Sequence, residues 1–424
     1  MGYASNLFTA STTFGASTFD IGSDLINSLD FFGHDVSTTV SDGLLDIFLS
    51  KHNVTTDDIF NVTSTDESKA THETHAKWGM LGIFIMFLPG IITIPPFILS
   101  LIRERNISGT IVDLSTKEAA DVFQKTDSKQ NGLLGAIFVF CVMLFYPIAM
   151  LLVSFVSLCR AVGGKAELMK MSTLMVGNEA FTECFPQILL QCFAIAYGYE
   201  ATTVQKITIF ASFLLLARVA IVYDLLGEKK ELSFKETMIH TAKLLPVHVT
   251  TIMFRVSAFT LTLIFLREWA AIPICVLYFE LLVITHMRYH NVKDNVICFR
   301  AIWYRSISNL AVLNLNTLVD TKMDEKDKPS DESCRNFILR STLATFVHHV
   351  LVMTSIILLS FYYPEYFQRE GFERLKVSLK PGGAYFNYGF SITYSLGLLS
   401  LLLCLRLSKK LSENSSSGLE NRIT

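Results

Sequence analysis

The sequence predicts an all-α, polytopic membrane helix bundle of about eight transmembrane helices plus two re-entrant segments. Three observations carry that reading. Of 424 residues, 51% are hydrophobic and only 17% charged, whereas an ordinary soluble domain carries about 25% charged residues. Mostly apolar stretches recur along the chain at roughly the 20-residue length that spans a bilayer. Lysine and arginine gather in particular connecting loops, the bias that sets the orientation of membrane helices.

The first apolar stretch, about residues 10–33, lacks a basic start and is interrupted by Asp20. It therefore reads as a membrane helix rather than a cleavable signal. Further crossings are expected at about 77–101, 173–198, 203–226, 244–266, 269–289, 338–362 and 385–406. Two stretches differ. Segment 132–157 holds Pro147 and is followed by Arg160, Lys165 and Lys170; segment 296–318 carries Arg300, Arg305, Asn309, Asn314 and Asn316. Irregular backbone at membrane depth is tolerated only under protein or beside a water-filled cavity, so both are expected to be re-entrant. Residues 1–407 then form one transmembrane domain, and the Ser-rich stretch 408–424 is expected to be a disordered cytosolic tail.

Charge sets the sidedness. Arg103, Arg105, Lys117, Lys125 and Lys129 fill one loop, Lys229, Lys230, Lys235 and Lys243 another, and Arg406, Lys409 and Lys410 follow the last span. Cytosolic termini place all of them inside, together with the charged loop 320–336. Loop 363–384, with Arg369, Arg374, Lys376 and Lys380, falls outside against the rule. Loop 35–76 is then extracellular, and its triplets Asn53-Val54-Thr55 and Asn61-Val62-Thr63 make Asn53 and Asn61 glycosylation acceptors.

The residues that carry chemistry are carboxylates in apolar surroundings. They are Asp20 and Asp24 in the first stretch, Glu179 and Glu183 in another, and Glu280 in a third. A charge at the centre of a lipid-exposed helix costs roughly 3 kcal/mol on insertion scales, so such groups face a protein interior, a partner or a polar path. Asp20 and Asp24 are four residues apart, as are Glu179, Glu183, Gln187 and Gln191, and that spacing stacks side chains on one helix face. Pro186 should release the carbonyl of Thr182 and kink this helix. Arg218 and Arg255 are the mid-segment cations available to the acids. The stripe reads either as contact surface for a polar substrate or as a structural seam closed to solvent.

Other chemistry is not indicated. His348 and His349 are adjacent, so their rings leave a helix about 100° apart, a poor metal arrangement. His286 and His290 have helical spacing but no further ligands, and the eight cysteines show no paired metal spacing. No nucleotide loop or nucleophile elbow is present. Neither an enzyme nor a cofactor is expected, and a net charge of −2 gives no reason for a nucleic-acid partner.

The segment Glu179, three residues, Glu183, two residues, Pro186-Gln187 resembles the most recognisable motif of the XK-related family. Asp20-Ile21-Gly22-Ser23-Asp24-Leu25, followed by Phe31-Phe32, is similar to that family's D-x-G-[ST]-D-[LI] start. Ser212-Phe213-Leu214, Leu216-Ala217, Tyr223 and Arg255 also have counterparts, and order and spacing agree from about residue 10 to 362. The resemblance implies a plasma-membrane protein with two half-crossing segments. It further implies ATP-independent phospholipid scrambling past Asp20, Asp24, Glu179, Glu183 and Arg255, to which Gln187 and Arg218 add polar groups from the residue reading. The expected partners are phospholipids, and either a single-pass membrane protein or a second copy of the chain. Arg218 departs from the family, which often has Trp there, as does the long loop 35–76. The tails carry no caspase motif, and Asp324-Glu325-Lys326-Asp327 is internal. A non-transporting scaffold subunit and a channel or small-solute transporter are the competing readings.

Glycosidase treatment of protein made in cells is expected to increase its mobility, and Asn53→Gln combined with Asn61→Gln should abolish that shift. A tag inserted beside Lys229 that labels on intact cells would reverse the assigned sidedness.

Overall fold

The computed structural model describes residues 3–31, 72–104, 141, 145–164, 172, 176–177, 179–196, 203–226, 234–289, 295–312, 331–363 and 384–423. Asn53 and Asn61 lie outside the described residues, as does the side chain of Asp20. Every described element is helical. In chain order they are α1 (Tyr3–Phe31), α2 (His72–Glu104), α3 (Tyr146–Val162), a π-helical turn (Ala180–Cys184) running into α4 (Phe185–Ala196), α5 (Thr203–Leu226) and α6 (Phe234–Leu266). A 3-10 turn (Arg267–Ala270) then leads to α7 (Ala271–Tyr289), α8 (Asn295–Ala311), α9 (Asp331–Tyr362) and α10 (Ala384–Ile423).

Among the described residues, five helices are long and apolar enough to cross a membrane: Gln205–Val222, Met238–Leu266, Ala271–Tyr289, Asn336–Tyr362 and Asn387–Ser408. Shorter apolar helices occupy Trp78–Ile94, Tyr146–Val162 and Ala180–Ala196. Several apolar helices in one chain suggest a multi-pass membrane protein. Their outer surfaces agree, since large apolar side chains such as Phe210, Phe279, Leu351 and Leu402 stand exposed. In water so much exposed apolar area is a liability; against acyl chains it is the expected surface.

Local chemistry explains several boundaries. Pro147 falls in the first turn of α3, where its missing N–H leaves no helical bond unmade. That helix ends with Arg160 in its last turn, and Gly164 follows at φ 77°, a left-handed position suited to glycine. The corner between α6 and α7 is tighter. Arg267 takes φ 51° there, a strained choice for a residue with a Cβ.

Helix α1 packs on α2 and α3, while α6 packs on α4, α5 and α10, and α9 on α7 and α10. One large core cluster joins Tyr146 and Met150 of α3, Ala180, Phe181 and Cys184 of the π turn, and Leu216 of α5. Ile252 and Phe259 of α6 and Leu281 of α7 complete its sides. Two smaller clusters fix the direction of the last helices. Val247, Ile338 and Cys404 pack together at one end, and Phe265, Met353 and Phe390 at the other. So α6 and α9 run in the same direction and α10 against them. The chain entering α6, the chain entering α9 and the chain leaving the apolar part of α10 share one end of this group. Those are the ends that carry Lys235, Arg335 and Arg406.

Two boundaries differ from the sequence reading. Helix α9 begins at Asp331, inside the segment 320–336 expected to be a loop; Asp331 and Glu332 suit the positive end of a helix dipole. Helix α10 continues past residue 408 to Ile423, where a disordered tail is expected. Helix limits follow backbone hydrogen bonding, whereas the expectation rested on hydropathy alone.

Gly397 shows how closely α10 meets its neighbours. A Cβ there would stand 2.7 Å from a Phe254 ring carbon and 3.1 Å from one of Phe346. At Gly15 of α1 an added Cβ meets nothing within 4 Å. Gly397→Val is therefore expected to destabilise the protein by about 1–3 kcal/mol, and Gly15→Ala to stabilise it by up to about 1 kcal/mol. Thermal unfolding of the detergent-purified protein reads both.

Candidate functional site

The glutamate helix is not a regular α-helix. Its residues Ala180–Cys184 form a π turn that ends immediately before Phe185 and Pro186. Proline brings no N–H and its ring displaces the carbonyl of residue i−4, here Thr182. The widened turn sits where the sequence places the kink. Such insertions tend to occur at functional positions.

That turn carries Glu183, and Glu179 directly precedes it; both side chains are fully buried. Asp24 of α1 and Gln187 and Gln191 of α4 are buried as well. Three helices meet close to them. Gln187 Nε2 donates to the carbonyl oxygen of Gly82 in α2 at 3.0 Å. A Cβ on Gly82 would stand 2.6 Å from Ser28 Oγ of α1 and 3.7 Å from a Leu190 methyl of α4. Gly82 is thus the close-approach point of α1, α2 and α4. One turn back from Ser28 stands Asp24, and one turn back from Gln187 stands Glu183. Glu183 lies within the π turn, and Asp24, Glu179 and Glu183 all take part in interactions within the fold. Along α1 the polar face continues: Ser17 Oγ donates to the Thr13 carbonyl at 2.9 Å and lies 3.2 Å from Ser154 Oγ of α3.

The two cations anticipated from the sequence have other contacts. Arg218 of α5 donates to Thr12 of α1, through Nη2 to Oγ1 at 2.6 Å and through Nη1 to the carbonyl oxygen at 3.4 Å. Arg255 of α6 donates through Nη1 to the carbonyl oxygen of Asn309 in α8. Among the described residues neither forms an ion pair with a carboxylate. Glu280 does have a partner: its Oε2 lies 3.4 Å from Nδ1 of His348 on α9, with the Glu280 side chain 41% exposed.

Sequence reasoning missed a basic cluster where α7, α8 and α9 meet. Arg288 and Arg305 are both buried. Their guanidinium carbons stand 5.0 Å and 4.4 Å from the centroid of the same Phe337 ring. Arg305 Nη1 also donates to Tyr289 Oη at 2.9 Å. Arg305 was visible as a charge in an apolar segment, but no spacing rule within one helix points to Phe337 on another. The buried aromatic ring takes both cations on its negative faces.

No protein-family model matches this chain, and no curated protein matches it.

Phe337→Leu keeps an apolar side chain but removes the ring beneath Arg288 and Arg305. A desolvated cation–π contact contributes up to about 2 kcal/mol, and the two here are coupled through one ring. We expect Phe337→Leu to lower unfolding stability by about 2 kcal/mol. The same substitution at Phe361, an exposed ring on α9, should stay within about 0.5 kcal/mol of wild type.

Proposed function

We propose that this protein is a plasma-membrane member of the XK-related group. It lets phospholipid headgroups exchange between leaflets without ATP. The observation that carries this reading is the burial of Asp24, Glu179, Glu183 and Gln187 at the junction of α1, α2 and the π turn in an otherwise apolar bundle. Acyl chains would stay in the bilayer while a choline or ethanolamine headgroup passes the carboxylates. No bond is made or broken. The barrier is headgroup desolvation, which fixed dipoles and carboxylates lower by replacing part of the lost water. In this reading Asp20 belongs to the same path by its spacing from Asp24 in the sequence, and Arg218, bonded to Thr12 of α1, would meet a phosphate.

The same reading includes eight crossings, re-entrant segments ending at α3 and formed by α8, and cytosolic termini. Support for the sidedness comes from the shared end of α6, α9 and α10, which gathers basic residues of three separate segments. Support for a half-crossing α8 comes from its 17-residue length and its buried Arg305 and Asn309.

A second reading has one observation in its favour. Gln187 joins α4 to the backbone of α2, and a seam of fully buried groups so bridged also suits a scaffold subunit that conducts nothing. Transport requires the seam to open; a scaffold requires it to stay shut.

Reconstitution into liposomes with a labelled lipid, followed by dithionite bleaching, separates the two. Bleaching well beyond half of the label, with dithionite itself excluded from the lumen, is the expected result; entry of dithionite would instead mark a channel. Glu183→Gln and Asp24→Asn keep shape and remove charge. A loss of about 1.4 kcal/mol of headgroup stabilisation slows exchange about tenfold, at surface expression equal to wild type. Exchange at the wild-type rate in both variants would leave the scaffold reading standing.

A further inference from the structure

Three prolines stand inside α2: Pro89, Pro95 and Pro96. Each lacks the N–H that a helix gives to the carbonyl four residues earlier, so the carbonyls of Ile85, Ile91 and Ile92 lose that donor. Thr93 Oγ1 also turns back on the Gly90 carbonyl at 2.6 Å, a bond of the kind that bends helices. Residues 89–96 are therefore the natural bending point of α2. One of the released carbonyls has a new donor. Trp303 of α8 donates its Nε1–H to the carbonyl oxygen of Ile92 at 3.0 Å. Such bonds from neighbouring helices are what make a proline tolerable inside an apolar bundle.

The donor stands on a fixed post. Helix α8 packs against α6, α7 and the π turn. Its Asn309 carbonyl is held by Arg255 of α6, and its Arg305 by Tyr289 of α7 and the Phe337 ring of α9. Trp303 is half-buried and stacked on Phe299 one turn earlier, with ring centroids 5.9 Å apart. The acceptor belongs to a different group, in which α2 and α3 both pack on α1. The acids are divided between the two groups: Asp24 lies on α1, Glu183 within the π turn and Glu179 directly before it. Hydrogen bonds that cross from one group to the other include Arg218 to Thr12, Gln187 to the Gly82 carbonyl and Trp303 to the Ile92 carbonyl. The last of these falls at the bending point, about 15 Å along α2 from Gly82 at the helical rise per residue.

We propose that Trp303 is a latch on a proline hinge in α2. While its N–H holds the Ile92 carbonyl, α2 stays against the π turn and α4. Its release lets the Gly82 segment swing away from the turn that carries Glu183, which opens the seam. An indole suits the task, since it offers one donor and no acceptor. A single neutral hydrogen bond has a small net strength, so the latch opens without unfolding α8. The proposal rests on the lipid-exchange reading for the use of this movement; the movement itself is a property of the helices.

The test uses the full chain purified in detergent, with backbone amide hydrogen exchange read by mass spectrometry, and the same variants in the liposome assay. Trp303→Phe keeps a ring and removes the donor. It is expected to speed amide exchange over residues 82–94 about tenfold, the factor that one net hydrogen bond supplies, while α9 and α10 stay as protected as in wild type. Pro96→Ala returns an N–H to the Ile92 carbonyl from within α2. Added to Trp303→Phe, it should bring amide exchange back to the wild-type rate. Alone, it should make the same amides slower to exchange than in wild type, a measurement that decides the matter if Trp303→Phe folds poorly. Wild-type protection of residues 82–94 in Trp303→Phe would overturn the latch. So would a loss of protection that Pro96→Ala does not repair, since the ring and not the bond would then be holding α2. Lipid exchange is read separately, and should rise in Trp303→Phe and fall back in the double variant. Amide exchange that follows the proposal with no lipid exchange in any variant would leave the latch standing and refute the lipid-exchange reading.

Discussion

Pro186 denies its helix one hydrogen bond, and much of the bundle is arranged around the result. The π turn Ala180–Cys184 widens the backbone just where Glu179 and Glu183 must be accommodated. Its apolar members Ala180, Phe181 and Cys184 are buried in the core cluster that unites α3, α5, α6 and α7. The irregular turn packs against α2, α4, α5 and α8, with both acids and its apolar residues buried.

Buried charge is handled in three different ways in this fold. The acids near Gly82 share a junction with amide and hydroxyl groups of α1, α2 and α4. Arg288 and Arg305 lean on the Phe337 ring. Glu280 meets His348 at a half-open position between α7 and α9. The Glu280–His348 contact lies midway along two spans, whereas Arg288 stands at the end of its span.

Much of the architecture was legible in the sequence, for a physical reason. Membrane crossing is decided by hydropathy over about 20 residues, a local property, so α5, α6, α7, α9 and the apolar part of α10 lie close to the apolar stretches. The disturbance at Thr182 was legible too, because a proline's missing N–H acts within one turn. What acts between helices was not. The place of Arg255 amid an apolar stretch marks it for an interior position, but its partner Asn309 depends on how α6 and α8 slide past each other. Gln187 was read on the face of Glu183, yet its bond to the Gly82 carbonyl depends on a glycine of α2 that leaves room for Ser28 of α1 and Leu190 of α4. Nothing local marks Gly82 for that role among the chain's glycines. The start of α9 and the continuation of α10 escaped because hydropathy ends before the helix does.

The antiparallel placement of α10 between α6 and α9 has a consequence for how the protein is made. Its contacts with Phe254, Met353 and Cys404's neighbours lie on helices synthesised well before it. Until α10 leaves the translocon, the faces of α6 and α9 that carry Thr251, Phe254 and Phe346 lack their α10 cover. During that interval a partly polar surface stands open inside the membrane, the kind of surface that quality-control machinery and membrane chaperones recognise. Integration of the nascent chain is then coupled to its last long helix. Substitutions that slow the docking of α10 would be felt first as degradation of new molecules and only later as a defect in mature ones.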